Sequence, residues 1–482
     1  MKLAKEEKGR QLGCRFRIYP TPEQKRALNM NIGCSRFVFN HYLAERQAAW
    51  ERTQKTLRRP KPAVGAGGEP IVDPNGREVW ERGDDGKVVY VDVPNEGFDP
   101  EAKPMSFADT SKDLTRLKRE VADEEGHAWL RDADATALVY ALRNLDNAYH
   151  LFFKGRKAGR DVGYPRFKSK GNEVQSYKTG GARLIGFSEG GERVVADGEL
   201  PAAGAVDWTH VYLPKVGEVR ARVHRAPEGR IVSATMSRDA AGRWFCSLGV
   251  KGAPEIRGGG AEGAVGVTYG AAHWAVTSDG EVFDLPARME RLMRRKVKAQ
   301  RKLDRKKLHS RNWGKQKLRV GRAEVRVADA RRDATHKLTA SLVGRYGTIC
   351  ARQMASKEMQ QHKGKATKDL PKKVQRRLNK QTVDGNFFEV NRQLAYKSAW
   401  ASRAFALVPS DAPTAQVCSR CGHKEESLAG DLRPEWTCPE CGAAHDRKGN
   451  GAENVLEAGL DILRGEEESF VAKAMKGPKQ QD

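Results

Sequence analysis

The chain contains no run of eighteen apolar residues, which argues against a membrane-crossing helix. Its opening residues, MKLAKEEKGR, lack the apolar stretch of a secretory signal, so the cytoplasm is the expected compartment. Cysteine is scarce and unevenly used. Of eight in all, Cys14, Cys34, Cys246 and Cys350 are scattered, and an exported disulfide framework is not expected. No internal repeat is evident. Neither a Ser-His-Asp arrangement nor a glycine-rich phosphate loop offers a hydrolase or nucleotide site. Acid is in deficit, with 62 Asp and Glu against 87 Lys and Arg, a net charge of +25.

What remains is a globular composition, 39% hydrophobic and 31% charged, over 482 residues. That length allows roughly two to four domains. The positive charge is concentrated. From Arg288 to Arg332, nineteen Lys or Arg stand against four acids, more than half the total excess. Such a run repels itself unless a polyanion is present, which points to nucleic acid. A membrane surface is a poorer match, because the accompanying apolar face is thin.

Residues 12–19 alternate like a strand and stop at Tyr19-Pro20-Thr21. Thr21 then caps a helix opened by Pro22 and Glu23, and residues 22–55 read as helical apart from an interruption at Gly33-Cys34. Residues 59–104, rich in Gly, Pro and Asp, form a loop-rich insertion with a hairpin in VWERGDDGKVVYVDV. Helical periodicity returns over 107–157, with Asp109 or Thr110 as N-cap and Leu138, Leu142, Leu145 and Leu151 as a core stripe. The loop Gly163-Tyr164-Pro165-Arg166-Phe167-Lys168-Ser169-Lys170 is basic and aromatic. Residues 180–251 read as strands throughout, a small barrel or sandwich. Beyond a linker at 254–263, AVGVTYGAAHWAVTSDGEVF predicts three strands and TICARQM a fourth. FFEVNRQLAYKSAWASRAFALV predicts a helix running into a strand, 450–464 a final helix, and the last residues a disordered tail.

Cys418-Ser-Arg-Cys421 and Cys438-Pro-Glu-Cys441 are separated by sixteen residues, and Gly422 and Gly442 follow each pair. Two such knuckles bring four thiolates into a closed tetrahedral site, the way structural zinc is held. Cys418, Cys421, Cys438 and Cys441 are therefore expected to bind a structural zinc ion that stabilises a small ribbon. His445 reads as a surface residue beside it.

These residues carry a family likeness. FRIYPTPEQ, IGCSRFVFN, ALRNLDNAY, GYPRFKSK, YLPKVGEVRARVHR, RKLDRKK, THKLTASLV, RQLAYKSAW and the two cysteine pairs occur in an order specific to one group. The chain resembles the transposon-encoded TnpB proteins and the compact type V CRISPR effectors. The resemblance implies a multidomain α+β fold. Residues 1–20 and 179–253 would form an oligonucleotide-binding-fold-like (OB-like) β-barrel, the WED domain. Residues 21–178 would form a helical recognition lobe inserted in it, with 59–104 as the largest departure from the family. Residues 254–410 and 446–468 would form an RNase H-like (RuvC) domain, interrupted by a zinc ribbon at 411–445, and 469–482 a disordered tail. It also implies a guide RNA and a double-stranded DNA target beside a short motif. Expected backbone contacts are Arg15, Arg17, Arg166, Lys168 and Lys170, with Arg294, Arg295, Lys302, Arg305 and Lys306 in the basic stretch.

RuvC chemistry uses carboxylates that bridge divalent ions. The family's first Asp lies in Gly-Ile-Asp-x-Gly, and here Gly266-Val267-Thr268-Tyr269-Gly270 puts Thr268 there. Arg352 takes the place of the Glu in Glu-Asp-Leu-x-x-Lys-x-Met, a register held by Lys357 and Met359. Lys448 takes the second Asp of Asp-Arg-Asp-x-Asn. Three carboxylates thus become a hydroxyl and two cations. The sequence-based expectation is a protein that is not an enzyme, with no catalytic magnesium, whose Arg352 and Lys448 meet nucleic-acid phosphates. Bound without cutting, it would repress transcription by occupancy, or act as a CRISPR effector by binding alone. An active endonuclease with shifted ligands at Asp279, Glu358 or Asp446 stays open, as does a guide-free binder. A homodimer or a recruited protein partner stays open too.

Overall fold

The computed structural model describes residues 10–465 apart from 66, 68, 74–77, 85–86, 123–125, 172–174, 197–199, 201–204, 225–226, 228, 254–259, 271–272, 355–370 and 429–432. The expected tail at 469–482, most of the 254–263 linker and Glu358 lie outside the described residues. The chain divides into two compact units, Met1–Pro254 and Glu255–Asp482.

The first unit opens with β1 (Arg10–Ile18) and α1 (Pro22–Arg52). Thr21 accepts from the Gln24 amide and the Gln24 side chain returns to the Thr21 N–H, a capping box behind Pro22. Helix α1 runs unbroken through Gly33, against expectation. Glycine costs a helix about 1 kcal/mol. The burial of Cys34, Val38, Phe39, Tyr42 and Leu43 around it outweighs that. The insertion is broader than one hairpin. Strand β2 (Thr56–Pro60) pairs with β3 (Tyr90–Pro94), and bridges at Pro62–Trp80 and Arg82–Val88 continue the ladder inside the loop.

Helix α2 (Phe107–Glu120) is capped by Ser106, not by Asp109 or Thr110. Asp109 closes the capping box from the third position, accepting from the Ser106 N–H at 3.0 Å. Helix α3 (Ala135–Lys157) starts at Asp134, which accepts from the Thr136 N–H at 2.9 Å and from the Thr179 hydroxyl. Leu138, Leu142 and Leu145 are buried against α1 and α2 as expected. Leu151 is not; it is 62% exposed, because at about 100° per residue it lies on the face of α3 opposite that stripe.

The remaining strands are β4 (Gln175–Thr179), β5 (Arg183–Ser188), β6 (Arg193–Ala196), β7 (Val206–Leu213), β8 (Gly217–Arg222), β9 (Arg230–Arg238) and β10 (Trp244–Ala253). With β1 they form one eight-stranded sheet, ordered β4-β9-β10-β1-β8-β7-β5-β6. The N-terminal strand is central, paired with β10 from Arg10↔Ala253 to Ile18↔Trp244. Its link to β8 is short, Arg17↔Arg222 and Ile18↔Ala221. Both halves of the sheet share one core, with Phe16, Met236 and Leu248 packed with Leu184, Trp208 and Val211. The sheet therefore curls about its own interior. Its end strands β4 and β6 are not joined by any described pairing, so the expected barrel is open.

The second unit is a five-stranded sheet between helices. Its strands are β11 (Ala264–Tyr269), β12 (Ala275–Thr277), β13 (Val282–Phe283), β14 (Thr348–Arg352) and β15 (Ala404–Val408), ordered β13-β12-β11-β14-β15. Strands β11, β14 and β15 are parallel, and β12 and β13 turn back antiparallel. Helices α4 (Ala287–Asp304) and α5 (Arg311–Arg345) join β13 to β14, and α6 (Lys372–Gly385) and α7 (Phe387–Trp400) lead to β15. The last helix, α8 (Arg447–Arg464), follows a two-stranded ribbon of β16 (Glu435–Thr437) and β17 (Ala444–Asp446).

Side chains alternate across a strand, which sorts the two faces. Val265, Val267, Tyr269 and Ala351 pack with Leu338 and Leu342 of α5 and Val390 and Leu394 of α7. Cys350, Ala406 and Val408 pack with Val455 and Ala458 of α8. Helix α8 lies close because two glycines let it. A Cβ at Gly266 would stand 2.0 Å from the Ala452 carbonyl oxygen, and one at Gly459 would stand 2.4 Å from Cys350 Sγ.

Candidate metal and nucleic-acid sites

The β11–β14 register pairs Gly266 with Cys350 and Val267 with Ala351. One step further along both strands are Thr268 and Arg352, on the face covered by α8. The first turn of α8 carries Lys448, whose ammonium donates to the Tyr269 carbonyl at 3.1 Å. It lies over Gly270, where a Cβ would stand 2.8 Å from Lys448 Cε. The three residues picked out in the sequence therefore converge at the carboxyl ends of two parallel strands. That is where open α/β sheets bind their ligands.

The electrostatics there are unusual. Thr268 is buried. Arg352 reaches the Ser410 and Ala412 carbonyls only at 3.5 and 3.4 Å, and its buried Nε has no partner among the described residues. Burial, and next the charge of Arg447, hold the Arg352 guanidinium below its usual pKa. Lys448 is pushed down to about 8, by burial first and then by Arg352 and Arg447, while Asp446 opposes the shift. Asp446 itself is the N-cap of α8, accepting from the Gly449 N–H at 2.6 Å. Asp279 accepts from the Tyr346 hydroxyl at 2.7 Å, beside the Ser278–Gly266 contact rather than beyond Thr268. Among the described residues, the cysteines are the one cluster of three or more His, Cys, Asp or Glu placed to hold a metal.

That cluster is well built. The ligand atoms of Cys418, Cys421, Cys438 and Cys441 lie within 4.8 Å of one another. Each knuckle turns the same way. Gly422 N–H donates to Cys418 and Gly442 N–H to Cys438, both at 2.9 Å, and both glycines adopt positive φ, +78° and +69°. The Ala443 backbone N–H is the leading cause that lowers the Cys441 thiol to about 7, toward the thiolate that metals bind. The four residues can hold a zinc ion. His445 is not a plain surface residue. It is half-buried against Trp436, with Nε2 3.1 Å from Cys418 Sγ. The pairing of β16 with β17 sets Trp436 opposite His445, a long-range register that spacing alone does not reveal.

The basic candidates divide. Arg294, Arg295, Lys302, Arg305 and Lys306 are exposed along α4 and the turn after it. Arg15 is exposed on β1 with its guanidinium 3.9 Å over the Phe245 ring, and Arg17 is half-buried, 5.3 Å from the same ring. Arg166 and Lys170 are exposed in the basic loop. Lys168 sits with its ammonium 3.9 Å over Phe39, and its backbone exchanges two hydrogen bonds with Asn40. It helps to anchor that loop.

Comparison with known proteins agrees with the order of these parts. Residues 260–363 match the OrfB_IS605 family, described as "Probable transposase". Residues 387–455 match the Cas12f1-like TNB domain. Residues 10–55 match a family described as a helix-turn-helix domain of OrfB_IS605, although here they form β1 and the single helix α1. "Putative RNA-guided DNA endonuclease InsQ" of Escherichia coli K12 is 30% identical over 340 residues, 70% of this chain and 77% of the relative. A "Putative RNA-guided DNA endonuclease" of Streptomyces pristinaespiralis is 28% identical over 92% of this chain and 89% of its own length. The solved Cas12f1–sgRNA–target DNA complex aligns at 11% identity with a TM-score of 0.41, over 93% of this chain and 98% of that one. The names of the two relatives correct the reading of this chain as a protein that is not an enzyme. That reading rested on the side chains at three positions, and both relatives are named as endonucleases.

Proposed function

Because the chain belongs to the TnpB-like OrfB_IS605 family, whose member InsQ is 30% identical over 77% of its length, we propose that it carries a guide RNA. Through that guide it recognises a matching double-stranded DNA beside a short DNA motif. The observation that carries this reading is the placement of the excess charge. Exposed Arg294, Arg295, Lys302, Arg305 and Lys306 fall in the stretch with nineteen cations against four acids. Contacts of this kind hold backbone and leave sequence to base pairing.

In this reading the curled sheet with β1 is the WED barrel, residues 21–178 the recognition lobe, and the β11–β15 sheet the RuvC domain. Zinc held by Cys418, Cys421, Cys438 and Cys441 would supply folding energy to the ribbon. Arg352 and Lys448 would face the phosphates of a strand passing the carboxyl ends of β11 and β14. Where the matched site lies in a promoter, occupancy would repress transcription.

The test is to sequence the RNA that copurifies with the full chain from its native locus. A discrete RNA with a constant scaffold and a variable end is expected. Reprogramming that end should redirect duplex binding, and adding magnesium to the same complex measures cleavage. Heterogeneous RNA, or binding indifferent to the variable end, would refute the proposal.

A further inference from the structure

A second site lies in the first unit, at the end of α3 that the core leaves uncovered. A cavity of about 790 Å³ opens there between the last turns of α1, the start of α2 and the last third of α3. Its lining is aromatic. Tyr164 meets Phe152 and Tyr149 edge-on, at 5.4 and 5.5 Å between ring centres, and the Tyr149 and Tyr164 hydroxyls are 2.7 Å apart. Trp50 and Phe153, 54% and 62% exposed, stand at the rim. Gly155 makes the arrangement feasible. The chain after α3 folds back so closely that a Cβ there would stand 2.3 Å from Val162, and this return carries Tyr164 to Phe152.

The charge beside these rings selects the occupant. Arg46 stacks 5.3 Å over Tyr149 and pairs with Asp146 at 3.4 Å, and Arg156 lies 5.8 Å over Phe152. Residues 154–170 carry seven Lys or Arg and one acid, Asp161. A second copy of this chain would bring the same charges and be repelled. A basic peptide is excluded for the same reason. A planar group joined to an anionic backbone satisfies both features at once. In a duplex the base faces are stacked away, so the group must be unpaired.

We infer that this cavity takes an unpaired nucleobase of a single-stranded nucleic acid, RNA or DNA. Its capture needs no complementarity to any guide, so this inference and the guided reading can fail separately.

The test uses the full chain, stripped of nucleic acid by salt, and three probes. These are a mixed-sequence single-stranded oligonucleotide, an abasic strand of equal length, and the corresponding duplex. Trp50→Ala with Phe153→Ala empties the rim without touching buried side chains. The paired variant should weaken binding of the base-bearing strand by between about 5-fold and 100-fold. Abasic-strand and duplex binding should stay within about twofold, and Trp50→Phe with Phe153→Tyr should restore affinity. Equal loss on the abasic strand would show that the rim does not act through the base and would overturn the inference. So would unchanged binding, or a dimer that the alanine variant dissolves.

Discussion

Replacing Lys448 by methionine should stabilise the second unit at neutral pH. The ammonium lies under α8, held by one carbonyl and crowded by Arg352 and Arg447. Its pKa falls from 10.5 to about 8. At 1.36 kcal/mol per pKa unit, the charged form is disfavoured in the fold on the order of 3 kcal/mol. The sign follows from proton counting. Below pH 8 the amine is charged in both folded and unfolded states, and the full penalty stands. Between pH 8 and 10.5 the unfolded chain holds the proton and the folded one does not, so stability rises with pH. Above that window the penalty is gone. Lys397 of α7 is also lowered to about 8 by burial, so wild type alone would mix two groups. The comparison with Lys448→Met isolates one. Hydrogen exchange of β11 and β14 amides, corrected for the intrinsic pH dependence of exchange, reads local opening in this unit. Lys448→Met should raise protection at pH 7 by up to that amount, and the advantage should shrink by about half near pH 9.5. An advantage equal at both pH values, or absent at pH 7, would refute the reasoning.

Three further outcomes are expected. Cys438→Ser should cost the purified chain about one zinc per molecule by metal analysis, and chelation of the wild type should open 411–446 to proteolysis. Gly266→Ala should destabilise the second unit by about 1–3 kcal/mol in urea melts, because α8 must move away from β11. Replacing Lys302, Arg305 and Lys306 together by alanine should flatten the log–log salt dependence of single-stranded RNA binding by about 2, with little change in melting temperature.

Much of this molecule was legible because its signals are local. The two CxxC pairs lie within one segment, so their spacing alone announces the metal cluster. Thr21 with Pro22 and Glu23 announces the start of α1 in the same way. The strands β11 to β15 were readable from short apolar runs and the turn residues between them. Some of the failures are non-local. Gly33 reads as a break until the helices packed around it are known. Ser106 prevails over Asp109 and Thr110 because its hydroxyl accepts from the Asp109 N–H while the Asp109 carboxylate accepts from the Ser106 N–H, which leaves Asp109 as the third helical residue. Leu151 was counted into the stripe, yet at about 100° per residue it falls on the face of α3 opposite Leu138, Leu142 and Leu145, where it is exposed. The aromatic cavity depends on Gly155 and Val162 meeting, a contact with no pattern in the sequence. Convergence of Thr268, Arg352 and Lys448 had to be supplied by likeness to a family. The structure accounts for it through glycines at the α8 contacts. Likeness did not extend to activity, where three substituted side chains were read as the loss of an enzyme.

The first turns of α8 have one more consequence. Buried Asn450 donates to the Val417 carbonyl at 2.8 Å and accepts from the Ser419 N–H at 2.9 Å. Asn454 donates to the Thr414 and Val417 carbonyls at 2.8 and 2.7 Å. Two asparagines thus fasten the outgoing arm of the ribbon to the helix that follows its return. The excursion between those fastenings is bracketed like a loop tied at its neck. Lengthening a loop whose ends are already held adds little entropy cost. Between Leu428 and Trp436 this chain should therefore accept inserted sequence, such as a tag, while α8 and the sheet beneath it keep their positions.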